Sequence, residues 1–210
     1  MARREVLVAT LAALIATPLA AQNEAWQFRW YWGAKGGVLG YSLPTSGQSF
    51  APQIGGDWLI TARRTALYVG YSQSLTAEVD TFTVNNAAGT QVTFDGFRRI
   101  QVGLLAMIGS GNLQPYVGGG FALHTLNGAA PPAGSSVALQ DATSEAASVG
   151  ILMIMGGVNY RIGRKAMLFA HFQGAPGSRT FLMPGSVNSF EGGLRYALLP
   201  AKSDDATTRR

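Results

Sequence analysis

The feature that most constrains this chain is a two-residue period in hydrophobicity without any apolar stretch long enough for a helical span. Between Arg99 and Ile108, the side chains of Ile100, Val102, Leu104, Ala106 and Ile108 share one face, and Arg99, Gln101 and Gly103 share the other. Between Leu113 and Thr125, the face of Leu113, Val117, Phe121 and Leu123 opposes that of Gln114, Tyr116, Gly118 and His124. Near the C-terminus, Phe190, Gly192, Leu194, Tyr196 and Leu198 oppose Ser189, Glu191, Gly193, Arg195 and Ala197. Strict alternation puts the two sets on opposite faces of a pleated strand. Beyond the N-terminal segment, the most helix-like apolar run, Ala146 to Val158, is broken by Gly150, Gly156 and Gly157, and it falls well short of the ~20 residues a spanning helix needs. The expected class is therefore all-β.

The pattern predicts about eight strands, near 26–43, 49–62, 65–80, 92–109, 113–127, 146–163, 165–176 and 186–199. The links alternate in length. Arg63-Arg64, Gly109-Ser110-Gly111-Asn112 and Gly163-Arg164-Lys165 read as tight turns. Links around 44–48, 81–91, 128–145 and 177–185 read as longer loops rich in Gly, Pro, Ser, Thr and Asn. Alternating short and long links place antiparallel neighbours side by side with all long loops at one end. This is the pattern of an up-and-down antiparallel transmembrane β-barrel with short periplasmic turns and longer outer loops.

Alternation alone does not say which face meets water. Only 13% of the 210 residues are charged, against about 25% in a typical soluble domain, so a soluble barrel would lack the charges to cover its outside. A membrane barrel turns its apolar face to lipid and its polar face inward. On that reading Arg29, Lys35, Asp57, Glu78, Arg99, Arg161, Glu191 and Arg195 fall on the polar face and pair in the lumen. Trp26, Phe28, Trp30, Trp32, Trp58, Phe94, Tyr160, Phe172, Phe190 and Tyr196 concentrate toward strand ends, as interfacial girdles do. The 27 glycines suit a small closed wall that must bend.

The N-terminus reads as a secretory signal over residues 1–21. Arg3 and Arg4 precede an apolar Val6–Ala16, and small residues stand before a cleavage point at Ala21 or Gln22. The barrel is then assigned to 22–199 and a polar tail to 200–210. The chain has no cysteine, which excludes disulfide scaffolds, zinc ribbons and thiol enzymes. A net charge of +5, dispersed along an exported chain, gives no reason to expect nucleic acid.

Pro115-Tyr116-Val117-Gly118-Gly119-Gly120, Gly156-Gly157-Val158-Asn159-Tyr160-Arg161 and Gly192-Gly193-Leu194-Arg195-Tyr196 resemble strands of the small outer-membrane β-barrels of Gram-negative bacteria, such as the transmembrane domain of the outer membrane protein A family. The last strand is similar to that family's assembly signal, with Glu191, Gly193, Tyr196 and Leu198 at the matching positions. The resemblance implies an outer-membrane location, contact with outer-membrane lipid and lipopolysaccharide, and recognition by the barrel-assembly machinery. Family barrels often end on an aromatic residue, whereas this chain continues through Pro200 to Arg210.

Catalytic chemistry finds little support. The glycine runs lack the Gly-Lys-Ser/Thr ending of a phosphate loop. The two histidines, His124 and His171, form no metal-ligand pair. Outer-membrane lipid A deacylases carry a His-x-Ser pair on one strand. Here Leu126 and Gln173 stand where the serine would be. No catalytic residue, metal or cofactor is expected. The expected role is structural or surface-interacting, with the lumen plugged by paired charges. The alternatives are a narrow gated channel for small solutes, a secreted soluble carrier, and a barrel-embedded lipid enzyme.

Overall fold

The structure, a computed structural model, describes residues 28–62, 64–84, 87–109, 111–163 and 165–198. The expected signal segment 1–21 with its cleavage point, Trp26, and the tail 200–210 lie outside the described residues.

The elements in chain order are β1 (Arg29–Leu43), β2 (Gly47–Ala62), β3 (Thr65–Ser74), β4 (Glu78–Val84), β5 (Ala87–Phe94), β6 (Gly96–Met107), β7 (Leu113–Asn127), α1 (Val137–Ala146), β8 (Ser148–Ile162), β9 (Ala166–Ala175) and β10 (Val187–Ala197). Eight of the strands close into an antiparallel barrel in the order β1-β10-β9-β8-β7-β6-β3-β2. β4 and β5 form a separate two-stranded sheet. The closing seam pairs β1 with β10 in a register that sets Gly33 against Arg195, Lys35 against Gly193 and Gly37 against Glu191. A barrel wall has no free edge, so every strand finds a partner on each side.

The wall is inverted relative to a soluble protein. Val38, Ile54, Val102, Leu104, Val117, Phe121, Leu152, Ile154 and Phe190 are exposed on the outside. Lys35, Asp57, Arg99, His171, Glu191 and Arg195 are buried inside. Period two carries both facts, because a strand in which one face is apolar and the other polar must present them to opposite environments. Lumen-facing glycine permits the tight closure. A Cβ on Gly193 would stand 2.1 Å from the carbonyl oxygen of Ala34 on β1, and one on Gly37 would stand 2.1 Å from that of Phe190 on β10.

The long-loop end departs from the sequence reading in several places. The expected single strand 65–80 ends at Ser74, and 92–109 starts its wall segment only at Gly96. The expected loop 81–91 belongs instead to the β4–β5 hairpin. The cause is loss of a partner: β3 pairs with β2 only as far as Gln53 against Ser74, because beyond that point β2 continues on β1 up to Leu43 against Gly47. Burial keeps the same phase across the departure, at Ser72, Ser74, Asp80, Phe82 and Val84, so the period carries no sign of it. The expected longer loop at 44–48 is a tight tip of this projecting β1–β2 hairpin, with Gly47 at φ 74°. The expected loop 128–145 contains helix α1, whose first turn is capped by the Ser136 hydroxyl accepting from the Leu139 N–H at 3.3 Å.

Candidate functional site

Two features can carry function: the ionic layer in the lumen and the folded cap at the long-loop end. The ionic layer is centred on Glu191, brought from β10 to the barrel axis by the seam register. Its carboxylate accepts from Lys35 Nζ at 2.7 Å, Arg99 Nη2 at 2.5 Å, Ser72 Oγ at 2.9 Å and His171 Nε2 at 2.9 Å. His171 bridges two strands, its Nε2 2.9 Å from the Glu191 carboxylate and its Nδ1 2.9 Å from the Tyr116 hydroxyl. Lys35 also donates to the Tyr68 hydroxyl at 2.9 Å, and Arg99 to Gln53 Oε1 at 3.0 Å. These partners come from β1, β2, β3, β6, β7, β9 and β10, so the network ties nearly the whole wall together.

A second pair lies nearer the short-turn end. Arg195 Nε and Nη2 form a fork onto Asp57 at 3.0 Å and 2.6 Å, while Nη1 donates to Asn159 Oδ1 at 2.8 Å. The guanidinium lies 3.7 Å from the centre of the Phe169 ring, a cation–π contact strengthened by exclusion of water. The fork needs room: a Cβ on Gly33 would stand 2.2 Å from Asp57 Oδ1.

Of the charges predicted for the lumen, Lys35, Asp57, Arg99, Glu191 and Arg195 converge there. Arg29 and Arg161 are half-buried near the short-turn end of the wall. Glu78 is not a wall residue. It sits on β4 and accepts from the Tyr41 hydroxyl at the mouth, because the chain has already left the barrel there. Among the positions resembling an assembly signal, Glu191 is buried in the ionic layer, while Tyr196 and Leu198 are exposed on the outer face. Among the described residues no three His, Asp or Glu side chains gather as a metal site requires.

The lumen is not polar throughout, contrary to the expectation from composition. Tyr31, Leu59, Ala66, Met107, Met167 and Ala197 line it toward the short turns. At the other end Leu39, Tyr41, Phe82, Phe94, Phe97, Leu126, Phe181, Leu182, Met183 and Val187 form an apolar cap. Phe97 is its hub, with ring centres 6.3 Å from Tyr41, 5.2 Å from His124 and 6.1 Å from Phe181. Sequence reading missed this cap, although Phe181-Leu182-Met183 is an apolar triplet inside a link otherwise rich in Gly, Pro and Ser.

Backbone and side-chain bonds hold the cap elements to one another. Thr93 and Ala130 exchange N–H···O bonds at 3.0 Å and 2.9 Å, and Leu182 N–H donates to Ala146 O at 3.0 Å. Asp80 on β4 joins the two hairpins by accepting from the Thr45 N–H at 3.3 Å and the Ser46 N–H at 3.4 Å, besides Thr81 N–H at 2.6 Å. Burial alone would raise the Asp80 carboxyl, but these bonds from Thr81, Thr45 and Ser46 hold it below its ordinary value.

No protein-family model matches the chain, and no curated protein sequence matches it. Solved structures do. Neisserial surface protein A superposes with a TM-score of 0.55 at 14% identity, over 80% of this chain and 96% of that one. The N-terminal β-barrel domain of Pseudomonas aeruginosa OprF superposes with a TM-score of 0.50 at 11% identity, over 81% and 98%. With its closed wall, outward apolar band and buried ionic layer, the chain has the fold of the small eight-stranded outer-membrane β-barrels.

Proposed function

We propose that this protein is an outer-membrane barrel with a structural or surface-interaction role, whose wall anchors a rigid cap at the cell surface. The observation that carries the reading is the closed wall with apolar side chains outside and paired charges inside. In this orientation the short turns face the periplasm and the β4–β5 hairpin, α1 and segment 176–186 face outward. The lipopolysaccharide leaflet surrounds the outer part of the wall, and the barrel-assembly machinery inserts the chain. The neighbouring Neisserial protein is by name a surface protein, which agrees with a role for the cap.

The layered lumen favours this role over a solute channel. Apolar side chains fill it on both sides of the ionic layer, and an eight-stranded barrel is only wide enough to be filled by side chains. His171 links Tyr116 and Glu191 by hydrogen bonds, and Gln173 stands where the serine of a His-x-Ser hydrolase pair would be. Fractionation of cell envelopes tests the reading. The protein should leave the envelope only with detergent, shift mobility on heating, and remain silent in a planar bilayer. Release in soluble form refutes it, and steady single-channel currents restore the channel alternative.

A further inference from the structure

The two ends of the barrel differ in charge, and one sector of the outer wall is concave. At the short-turn end Arg64 and Lys165 are exposed, and Arg29 and Arg161 are half-buried. Among the described residues the acidic side chains lie elsewhere: Asp57 and Glu191 in the lumen, and Glu78, Asp80, Asp95, Asp141 and Glu145 at the long-loop end. Above the β2–β3 turn that carries Arg64, the outer face holds an open groove of ≈ 530 Å³ lined by Trp32, Trp58, Val69, Tyr71 and Ile100. That volume is within the ~300–1,000 Å³ typical of small-molecule sites.

The groove has a simple origin. Gly56 is in outward phase between Ala34 on β1 and Tyr71 on β3, so the wall lacks a side chain at that point. Trp32 and Trp58 stack at 5.5 Å with their planes 16° apart and form one bank. Tyr71 and Ile100 form the other. Trp58 lies on β2, which ends at Ala62, so it stands on the order of 10 Å above the turn once strand rise and tilt are allowed for. A cation at the headgroup level and an apolar trough above it match the two ends of a phospholipid.

We propose that this groove holds one acyl chain of an anionic phospholipid of the periplasmic leaflet, with its phosphate at Arg64. The proposal rests on the outer-membrane reading above. It draws its anionic specificity from charge complementarity. A zwitterionic lipid gains the groove but brings a cation of its own to an end already rich in cations. A basic side chain near an anionic bilayer surface favours such a lipid about fivefold.

The chain's own tryptophans report the site, because all four stand at positions 26, 30, 32 and 58, and Trp32 and Trp58 line the groove. The full barrel is reconstituted in phosphatidylcholine vesicles doped with acyl-brominated phosphatidylglycerol or with acyl-brominated phosphatidylcholine, and tryptophan quenching is measured. The expected result is a preference of about fivefold for the anionic lipid, lost in Arg64→Glu and kept in Lys165→Glu, whose turn lies across the barrel. Val69→Phe, which fills the groove, should also lower the preference while leaving heat-modifiable mobility intact. Equal quenching by the two lipids overturns the proposal, as does a preference that survives Arg64→Glu or falls equally in Lys165→Glu. Quenching that rises as the protein is diluted in lipid overturns it too, and assigns the groove to a second copy of the chain. Absence of quenching by either lipid overturns the membrane reading itself.

Discussion

Glu191 is one carboxylate serving two buried cations, and that asymmetry makes a quantitative prediction. Its side chain is 1% exposed, as is that of Lys35, and Arg99 is 3% exposed. Glu191→Gln keeps the shape and removes the charge, so Lys35 and Arg99 are left together without a counter-ion. Breaking a buried pair in this way costs about 3–5 kcal/mol. Lys35→Met is a different perturbation, because Glu191 still accepts from Arg99, Ser72 and His171. Its cost should be smaller, about 1.5–3 kcal/mol, because it removes the charged hydrogen bonds to Glu191 and Tyr68 without stranding a charge. The double variant leaves Arg99 as the single unmatched cation of this cluster. It should therefore be no less stable than Glu191→Gln alone, a departure from additivity of about 2–3 kcal/mol. The assay is urea titration in lipid vesicles, followed by tryptophan emission and by gel mobility without heating. Equal costs for the two single variants, or strict additivity in the double, would refute the idea that Glu191 is the shared counter-ion.

Other perturbations test the remaining layers. Arg195→Ala should destabilise the barrel by about 3–5 kcal/mol in the same titration, since it leaves Asp57 buried without its fork. Phe181→Ala should cost about 3 kcal/mol locally and open the cap to external protease, with cleavage near 176–186 and an intact wall. Gly193→Ala should slow or block folding into vesicles, because its Cβ would strike the Ala34 carbonyl. The Asp80 carboxyl is held below its ordinary value, so it stabilises the cap at neutral pH, and that contribution is lost as pH falls through its depressed value. Protease nicking of the β4–β5 hairpin should therefore rise in acid for the native chain and be insensitive to pH in Asp80→Asn.

The wall was legible in the sequence and the mouth was not. Ile100, Val102 and Leu104 alternate with Arg99 and Gln101, and the two-residue period converts directly into an outer and an inner face. The pairing of Lys35 with Glu191 spans 156 positions and depends on the stagger with which β1 closes on β10. No local pattern encodes that number. Phe82 and Phe94 alternate like wall residues, so only the loss of a partner for β3 reveals that they stand above the barrel. Helix α1 had a readable start at Ser136, the N-cap whose hydroxyl accepts from the Leu139 N–H. It was hidden by the Gly, Pro and Ser that precede it.

The order of the layers in the lumen bears on how the cap works. An ionic cluster gains most where water is excluded, and it is also most costly there when a partner is missing. Tyr31, Leu59 and Met107 close one side of the cluster, and Phe97, Phe181 and Leu126 close the other. Phe97 belongs to β6 and Phe181 to the link between β9 and β10. Opening the cap therefore exposes the region above Arg99 and His124, at the strand that carries Arg99 and beside the link that leads into the strand of Glu191. Cap order and barrel stability are coupled through this shared packing. A surface partner that requires the cap to unfold must compete with the ionic layer, whereas one that reads the docked cap does not. On the proposed surface role, the apolar seal favours a partner that reads the docked outer faces of the β4–β5 hairpin and α1 over one that needs a large rearrangement on binding.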